Sequence, residues 1–344
     1  MSEKVSIDVR IHGYPNSNGY VKNDTCVLEC SMEDIIRSCI HAGKSKDVNV
    51  APYEVVFRVA LIRMSLNETY IDELKGEGGE KNKIKKKRFV SSETFDEFDP
   101  SEKGGVSFFL GMTMAKMVAE KYFQTPWVMH YDVYKNNGRY DIDIEPGEKP
   151  DLFGLGEAKD VWNIFEAKGS SDGYSSRATQ KGKKQKRRIK HINNCEIKTS
   201  NVVQFYFGGK EKILRIDLAD PEVDKGESVQ INYRKYFCEY YGLICNLIEA
   251  VDKMSNHVGV KSSEYKGTIY DIVDLPCVDI RIGIPRIVRK TIYMLNNNGD
   301  CDIEEGVKEK FIFEPLSEDE NEDGVSIGRD GFLVSLGETW RTKD

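Results

Sequence analysis

Two apolar runs that fold back on each other around a charged turn constrain this sequence more than any other feature. The stretch from Lys149 to Gly169 reads KPDLFGLGEAKDVWNIFEAKG. Pro150–Leu155 and Val161–Ala167 are predicted as the two strands of a hairpin. A turn centred between Ala158 and Lys159 sets Asp151 opposite Glu166, which brings two carboxylates side by side with Cβ atoms about 5 Å apart. Side chains alternate along a strand, so Glu166 and Lys168 point to one face and Phe165 and Ala167 to the other. Two acids and a lysine thus converge at one strand end.

Carboxylates that close resist joint ionisation unless a cation lies between them. A hard divalent ion resolves the conflict, and Mg²⁺ commonly takes one or two carboxylates with water and phosphate oxygens. The lysine would then position or deprotonate an attacking water that the metal has made more acidic. Asp151, Glu166 and Lys168 are therefore the candidate catalytic residues, with Asp151 and Glu166 as metal ligands.

This arrangement resembles the PD-(D/E)XK nuclease superfamily, the restriction-endonuclease-like fold. Pro150-Asp151 matches the first half of its motif and Glu166-Ala167-Lys168 the second. The resemblance runs from about Val106 to Leu218 and implies an α/β fold, a mixed sheet flanked by helices. It also implies that the Ala167 carbonyl adds a metal ligand and that the following helix carries a glutamine or lysine near the site. Gln185 is the best match there and Gln180 the alternative. Glu120, on the preceding helix, is a further candidate ligand, as first-helix acids are in some relatives. The activity implied is Mg²⁺-dependent hydrolysis of DNA phosphodiester bonds, with Mn²⁺ able to substitute, in a restriction or phage-defence setting. A homodimer is a further expectation, because one such site handles one strand. The competing reading is a nucleic-acid-binding or assembly module that keeps the fold without cleavage.

Around this core the chain divides into an accessory α+β region (1–104), the nuclease core (105–220) and a C-terminal region with a long helix (221–344). The Gly- and Lys-rich stretch from Gly76 to about Gly105 is expected as a flexible linker between the first two. Val5–Ile11 and Val55–Ile62 are expected as strands, and a capped helix is expected from Ser31 to about Ala42. Helices are expected over Val106–Phe123 and Ser175–Ile192, and strands around Trp127–Tyr134, Tyr140–Ile144, Val202–Phe207 and Ile213–Leu218. From Val229 to Lys253 a helix buries one stripe: Tyr233, Phe237, Tyr240, Ile244, Leu247 and Val251.

Charge is uneven along a chain of 344 residues with net charge −7. Lys81–Arg88 holds six basic residues, Lys181–Lys190 seven, and Glu318–Asp323 five acids. Such patches suit a protein that meets phosphates at one place and avoids them elsewhere. On the second basic run, Lys184, Arg187 and Arg188 share one helix face and are the candidate contacts to a nucleic-acid backbone.

Other chemistries are excluded. No run approaches the ~20 apolar residues of a membrane helix, and the N-terminus alternates like a strand instead of resembling a signal peptide. The eight cysteines show no disulfide framework, so a reducing cytoplasm is expected. Cys26, Cys30, Cys39 and His41 lack a common zinc spacing. Gly43-Lys44-Ser45 resembles the end of a phosphate loop, but Ser38 stands where its first glycine belongs, so no ATP site is expected.

Overall fold

The computed structural model describes residues 4–15, 19–41, 48–75, 82–136, 149–158, 160–185, 189–220, 227–256, 259–297, 311 and 324–341. The first part of the chain forms β1 (Val5–His12), β2 (Asp24–Cys30), α1 (Met32–His41), α2 (Ala51–Ser65), β3 (Leu66–Lys75) and β4 (Asn82–Ser91). There follow α3 (Glu93–Glu97), α4 (Pro100–Phe123), β5 (Trp127–His130), α5 (Tyr131–Asn136), β6 (Leu152–Leu155), β7 (Trp162–Ser170) and α6 (Ser176–Gln185). Then come β8 (Ile189–Ile192), β9 (Cys195–Glu196), β10 (Thr199–Gly208), β11 (Ile213–Ala219) and β12 (Glu227–Val229). The remainder is α7 (Tyr233–Met254), β13 (Val260–Tyr265), β14 (Thr268–Leu275), β15 (Ile280–Pro285), α8 (Arg286–Asn297), β16 (Val325–Ile327) and β17 (Leu333–Leu336).

The fold is mixed α/β. Its large sheet runs β2-β1-β11-β10-β7-β6-β5, and the β3–β4 hairpin joins it where β4 meets β11. The pairs β1/β11 and β10/β7 are parallel, while β1/β2, β10/β11, β5/β6 and β6/β7 are antiparallel. Val5, Ile7 and Val9 of β1, Phe205 and Phe207 of β10, and Ile216 and Leu218 of β11 are buried in the main core. Burying that many branched and aromatic side chains is the main source of stability for such a sheet.

Helix α4 covers the sheet beneath β7. It starts at Asp99, whose side chain accepts from the Ser101 and Glu102 backbone N–H groups in a reciprocal capping box, with Pro100 in the first turn. These start signals place the helix six residues ahead of the expected Val106. Helix α1 begins as expected, with the Ser31 and Asp34 side chains each accepting from the other's backbone N–H.

Two expectations fail in the N-terminal part. Val55–Ile62 lies within helix α2, not a strand. Its β-branched residues suggest a strand, yet the buried positions Ala51, Val55, Arg58, Val59, Ile62 and Ser65 follow helical spacing. The expected linker from Gly76 onward contains β4, α3 and the start of α4. The basic run on β4 is held by acids on β3, through Lys87 with Glu68 at 2.6 Å and buried Arg88 with Glu73 at 2.5 Å. The expected boundary between 104 and 105 falls within α4, and β1 is hydrogen-bonded directly to β11.

In the second basic run α6 covers residues up to Gln185, and Ile189–Ile192, where the helix was expected to continue, form β8. Trp127–His130 is a strand as expected, but the chain then turns into α5. The strand expected at 140–144 lies outside the described residues. Past α7 the antiparallel sheet β13-β14-β15-β17-β16 forms. The stripe on α7 buries Phe237, Tyr240, Ile244 and Leu247, with Tyr233 and Val251 partly buried against the same core. Tyr236 of α7 joins the two halves by donating to the Trp127 carbonyl at 2.6 Å and accepting from the Leu155 N–H at 3.3 Å. Among the described residues no helix is long and apolar enough to cross a membrane.

Candidate active site

The β6–β7 register pairs Leu152 with Phe165, Phe153 with Ile164 and Leu155 with Trp162, which is the register expected from the turn. One step further, the ladder gives way to side chains. The Asp151 N–H donates to Glu166 Oε2 at 3.2 Å, and the Ala167 N–H donates to Asp151 Oδ2 at 2.9 Å. Lys168 Nζ donates to Glu166 Oε1 and stands 3.8 Å from Asp151 Oδ2. The three side chains expected to converge therefore do so.

Glycines let the two flanking helices approach this strand end. A Cβ on Gly169 would sit 1.9 Å from the Ser107 carbonyl oxygen of α4, and one on Gly111 would sit 3.0 Å from the Lys168 carbonyl. On the opposite face, α6 comes down at Gly182, where a Cβ would meet Val202 at 3.0 Å and Glu166 Cγ at 3.2 Å. The residue after the lysine is glycine for this reason: β7 and α4 touch backbone to backbone. Gly182 was not singled out in the sequence, where it lies hidden inside the basic run.

Burial pushes the Glu166 carboxyl up to about 8, with the Asp151 charge as the next cause; Lys168 opposes both. Asp151 is raised as well, again chiefly by burial, against the pull of Lys168 and the Ala167 N–H. A single ammonium thus stands against two acids, and the cluster binds protons more readily than ordinary carboxylates.

The donor set fits a hard divalent cation. Within an extended strand the N–H and C=O of one residue face the same neighbour. The Ala167 carbonyl therefore faces the side where its N–H meets Asp151, past the end of β6. Two carboxylates and one carbonyl, all oxygen donors, surround the same strand end. Among the described residues no group of three or more His, Cys, Asp or Glu side chains could hold a metal ion, so the carbonyl and water would have to complete the set.

Glu120 belongs elsewhere, which corrects its expected place among the metal ligands. It accepts from Arg37 Nη1 at 2.7 Å and from the Arg329 N–H at 3.4 Å. Along α4 it lies nine residues beyond Gly111, the position packed on Lys168, which is about 13 Å of helix. Gln180 is exposed on α6. Lys184 and Gln185 lie in the last turn of α6 with side chains outside the described set; Arg187 and Arg188 fall wholly outside the described residues. Cys26, Cys30 and Cys39 are free thiols, and Cys26 bonds to the Tyr122 hydroxyl at 3.2 Å.

Comparison of the chain with protein-family models, with curated proteins and with solved structures finds no match.

Proposed function

We propose that this protein is a Mg²⁺-dependent nuclease of the restriction-endonuclease-like kind, hydrolysing phosphodiester bonds in DNA. One observation carries the reading: Asp151, Glu166 and Lys168 meet on β7 beside the end of β6, two acids against one ammonium, with the buried Glu166 carboxyl pushed up to about 8. A structural ion cluster gains nothing from a second buried acid that must hold a proton, whereas a site for a cation requires acids in surplus over their basic partners. DNA as the substrate and a role in restriction or phage defence follow from the motif resemblance.

Asp151, Glu166 and the Ala167 carbonyl would hold the metal. When bound, Mg²⁺ supplies Lewis-acid stabilisation of the phosphate and lowers the pKa of nearby water. The chain's own residues do the rest. The Ala167 N–H fixes Asp151, and the Asp151 N–H fixes Glu166, so neither carboxylate needs to reorganise when charge develops. Lys168 Nζ, within reach of both acids, is placed to orient an attacking water and to stabilise negative charge building on the phosphate.

Nicking of supercoiled plasmid in Mg²⁺ or Mn²⁺, with EDTA as control, tests this reading. Metal-dependent nicking that disappears in Asp151→Asn is the expected result. Binding without nicking would favour a non-catalytic nucleic-acid module.

A further inference from the structure

The sheet face that carries Glu166 and Lys168 continues across three more strands, and its register sets polar residues in one transverse row. Lys168 of β7 pairs with Gln204 of β10, Gln204 with Asp217 of β11, and Asp217 with Arg10 of β1. Three strand spacings separate the ends of this row, about 14 Å. The first turns of α6 sit over its middle, where Thr179 and Gln204 hydrogen-bond at 2.9 Å. The far end emerges into solvent.

At that end the side chains are held in place. Buried Asp217 receives Arg10 Nε on Oδ2 at 2.5 Å and His12 Nε2 on Oδ1 at 3.0 Å. The Arg10 guanidinium lies 4.4 Å over the Tyr174 ring, and Tyr174 packs edge-on to Tyr206 at 5.9 Å. Tyr206 is the register partner of Arg215. Arg215 Nε is shielded from solvent, has no hydrogen bond among the described residues, and stands 3.8 Å from Asp8 Oδ2.

Because the Arg10 bond to Asp217 uses Nε, the outer edge of the guanidinium faces outward; the side chain is 48% exposed. Arg215 and Tyr174 are each 39% exposed. Two guanidinium groups interleaved with two tyrosine rings match what a nucleic-acid strand offers, phosphates alternating with flat bases. A guanidinium locked between a carboxylate and a ring has little rotamer freedom left to lose on binding a phosphate.

We propose that Arg10, Arg215, Tyr174 and Tyr206 form a second contact for the nucleic-acid strand, taking a backbone phosphate on the arginines and a base against Tyr174. This inference rests on the nucleic-acid reading above and concerns a place beyond the reacting phosphate. At about 3.4 Å of rise per base pair, 14 Å corresponds to about four nucleotides. A strand that ends nearer the cleavage point would not reach it.

The test is fluorescence anisotropy of labelled single-stranded and duplex 20-nucleotide DNA in EDTA, across a salt series. Arg215→Gln and Arg10→Gln should each bind several-fold more weakly than the full-length protein and reduce the salt slope by about 0.7–0.9. Tyr174→Leu should weaken single-strand binding with the slope unchanged. Arg215→Gln guards against misfolding, because it leaves the Arg10–Asp217 pair intact. Affinities of the two arginine variants equal to that of the unaltered protein would overturn the proposal, as would absence of binding by the unaltered protein. Plasmid nicking is scored separately: a protein that nicks normally with both arginines replaced keeps the nuclease reading and loses this one.

Discussion

Two clusters of charge lie along α4, one beside its middle and one in its C-terminal half, and they are built on opposite principles. At the strand end near Gly111, Asp151 and Glu166 share one lysine, and both acids are pushed toward their protonated forms. In the C-terminal half, Glu120 and Asp330 surround Arg37, at 2.7 and 3.9 Å, and Asp330 also faces Lys116 at 4.0 Å. There Asp34, despite the upward push of burial, is held down to about 2 by Lys121 and Arg37. Arg37 is likewise raised against its burial, by Glu120, Asp330 and Asp34. Tyr240 and Tyr241 complete the second cluster by donating to Asp330, the first to its carboxylate and the second to its carbonyl. Acids and bases balance in this cluster, which ties α1, α4, α7 and the β16–β17 hairpin together. The contrast teaches that burial alone does not mark a candidate site; a surplus of acids over their basic partners does.

The sharpest way to break the comparison is to neutralise one charged group in each cluster. Glu166→Gln or Asp151→Asn should reduce metal-dependent nicking by about a thousand-fold, since several kcal/mol of charge stabilisation depends on the metal. Urea unfolding of the same variants in EDTA should show equal or higher stability at pH 8, because a repulsive charge is gone. Nicking at full rate by both variants would remove the nuclease assignment.

In the balanced cluster the order of effects reverses. Arg37→Met strands Glu120 and Asp330 in the interior and should destabilise the fold by about 3–5 kcal/mol. Urea unfolding measures this directly. Below its unfolding transition the variant should still nick plasmid, since Arg37 touches none of the three candidate catalytic side chains. A loss of nicking in fully folded Arg37→Met would mean that the clusters are coupled through α4.

Acid–base linkage sharpens the contrast further. Glu166 titrates near 4.5 when unfolded and near 8 when folded, so between these values the native state holds a proton that the unfolded chain gives up. Stability should therefore fall as pH rises through this window, by up to about 1.4 kcal/mol per pH unit from this group. Unfolding midpoints in EDTA from pH 5 to 8 would show it. Glu166→Gln should flatten the curve, and so should Mg²⁺, which favours the ionised acid. A slope that survives in Glu166→Gln would place its origin outside this site.

These features differ in how far the sequence reveals them. The hairpin register was legible because alternation and a short turn are local, so the meeting of Asp151, Glu166 and Lys168 could be expected from 21 letters. Helix α2 was not, because Val55, Val56, Val59 and Ile62 favour strands on propensity while tertiary packing selects their helical face. Glu120 looked like a ligand because its partner, Arg37, is 83 residues away. The row from Lys168 to Arg10 depends on three pairings between strands distant in sequence, and no local pattern encodes it. Gly169 stood beside the motif and could be noticed, but its reason, the Ser107 carbonyl, belongs to another element.

The smallest effects come from two helical glycines, and they separate packing at the candidate site from ordinary helix propensity. Gly105, early in α4, has nothing within 4 Å of an added Cβ, so Gly105→Ala should stabilise by about 0.5–1 kcal/mol and leave nicking unchanged. Gly182→Ala gains the same propensity but presses on Val202 at 3.0 Å and Glu166 Cγ at 3.2 Å. Its net change in stability should lie within about 1 kcal/mol of zero, since overpacking offsets the helical gain. The displaced carboxylate should nonetheless cost nicking several-fold, because a misplacement well under 1 Å disturbs a preorganised site. Thermal melts and plasmid nicking on the two alanine variants make the comparison. Equal activity in both would mean that α6 covers Glu166 without positioning it.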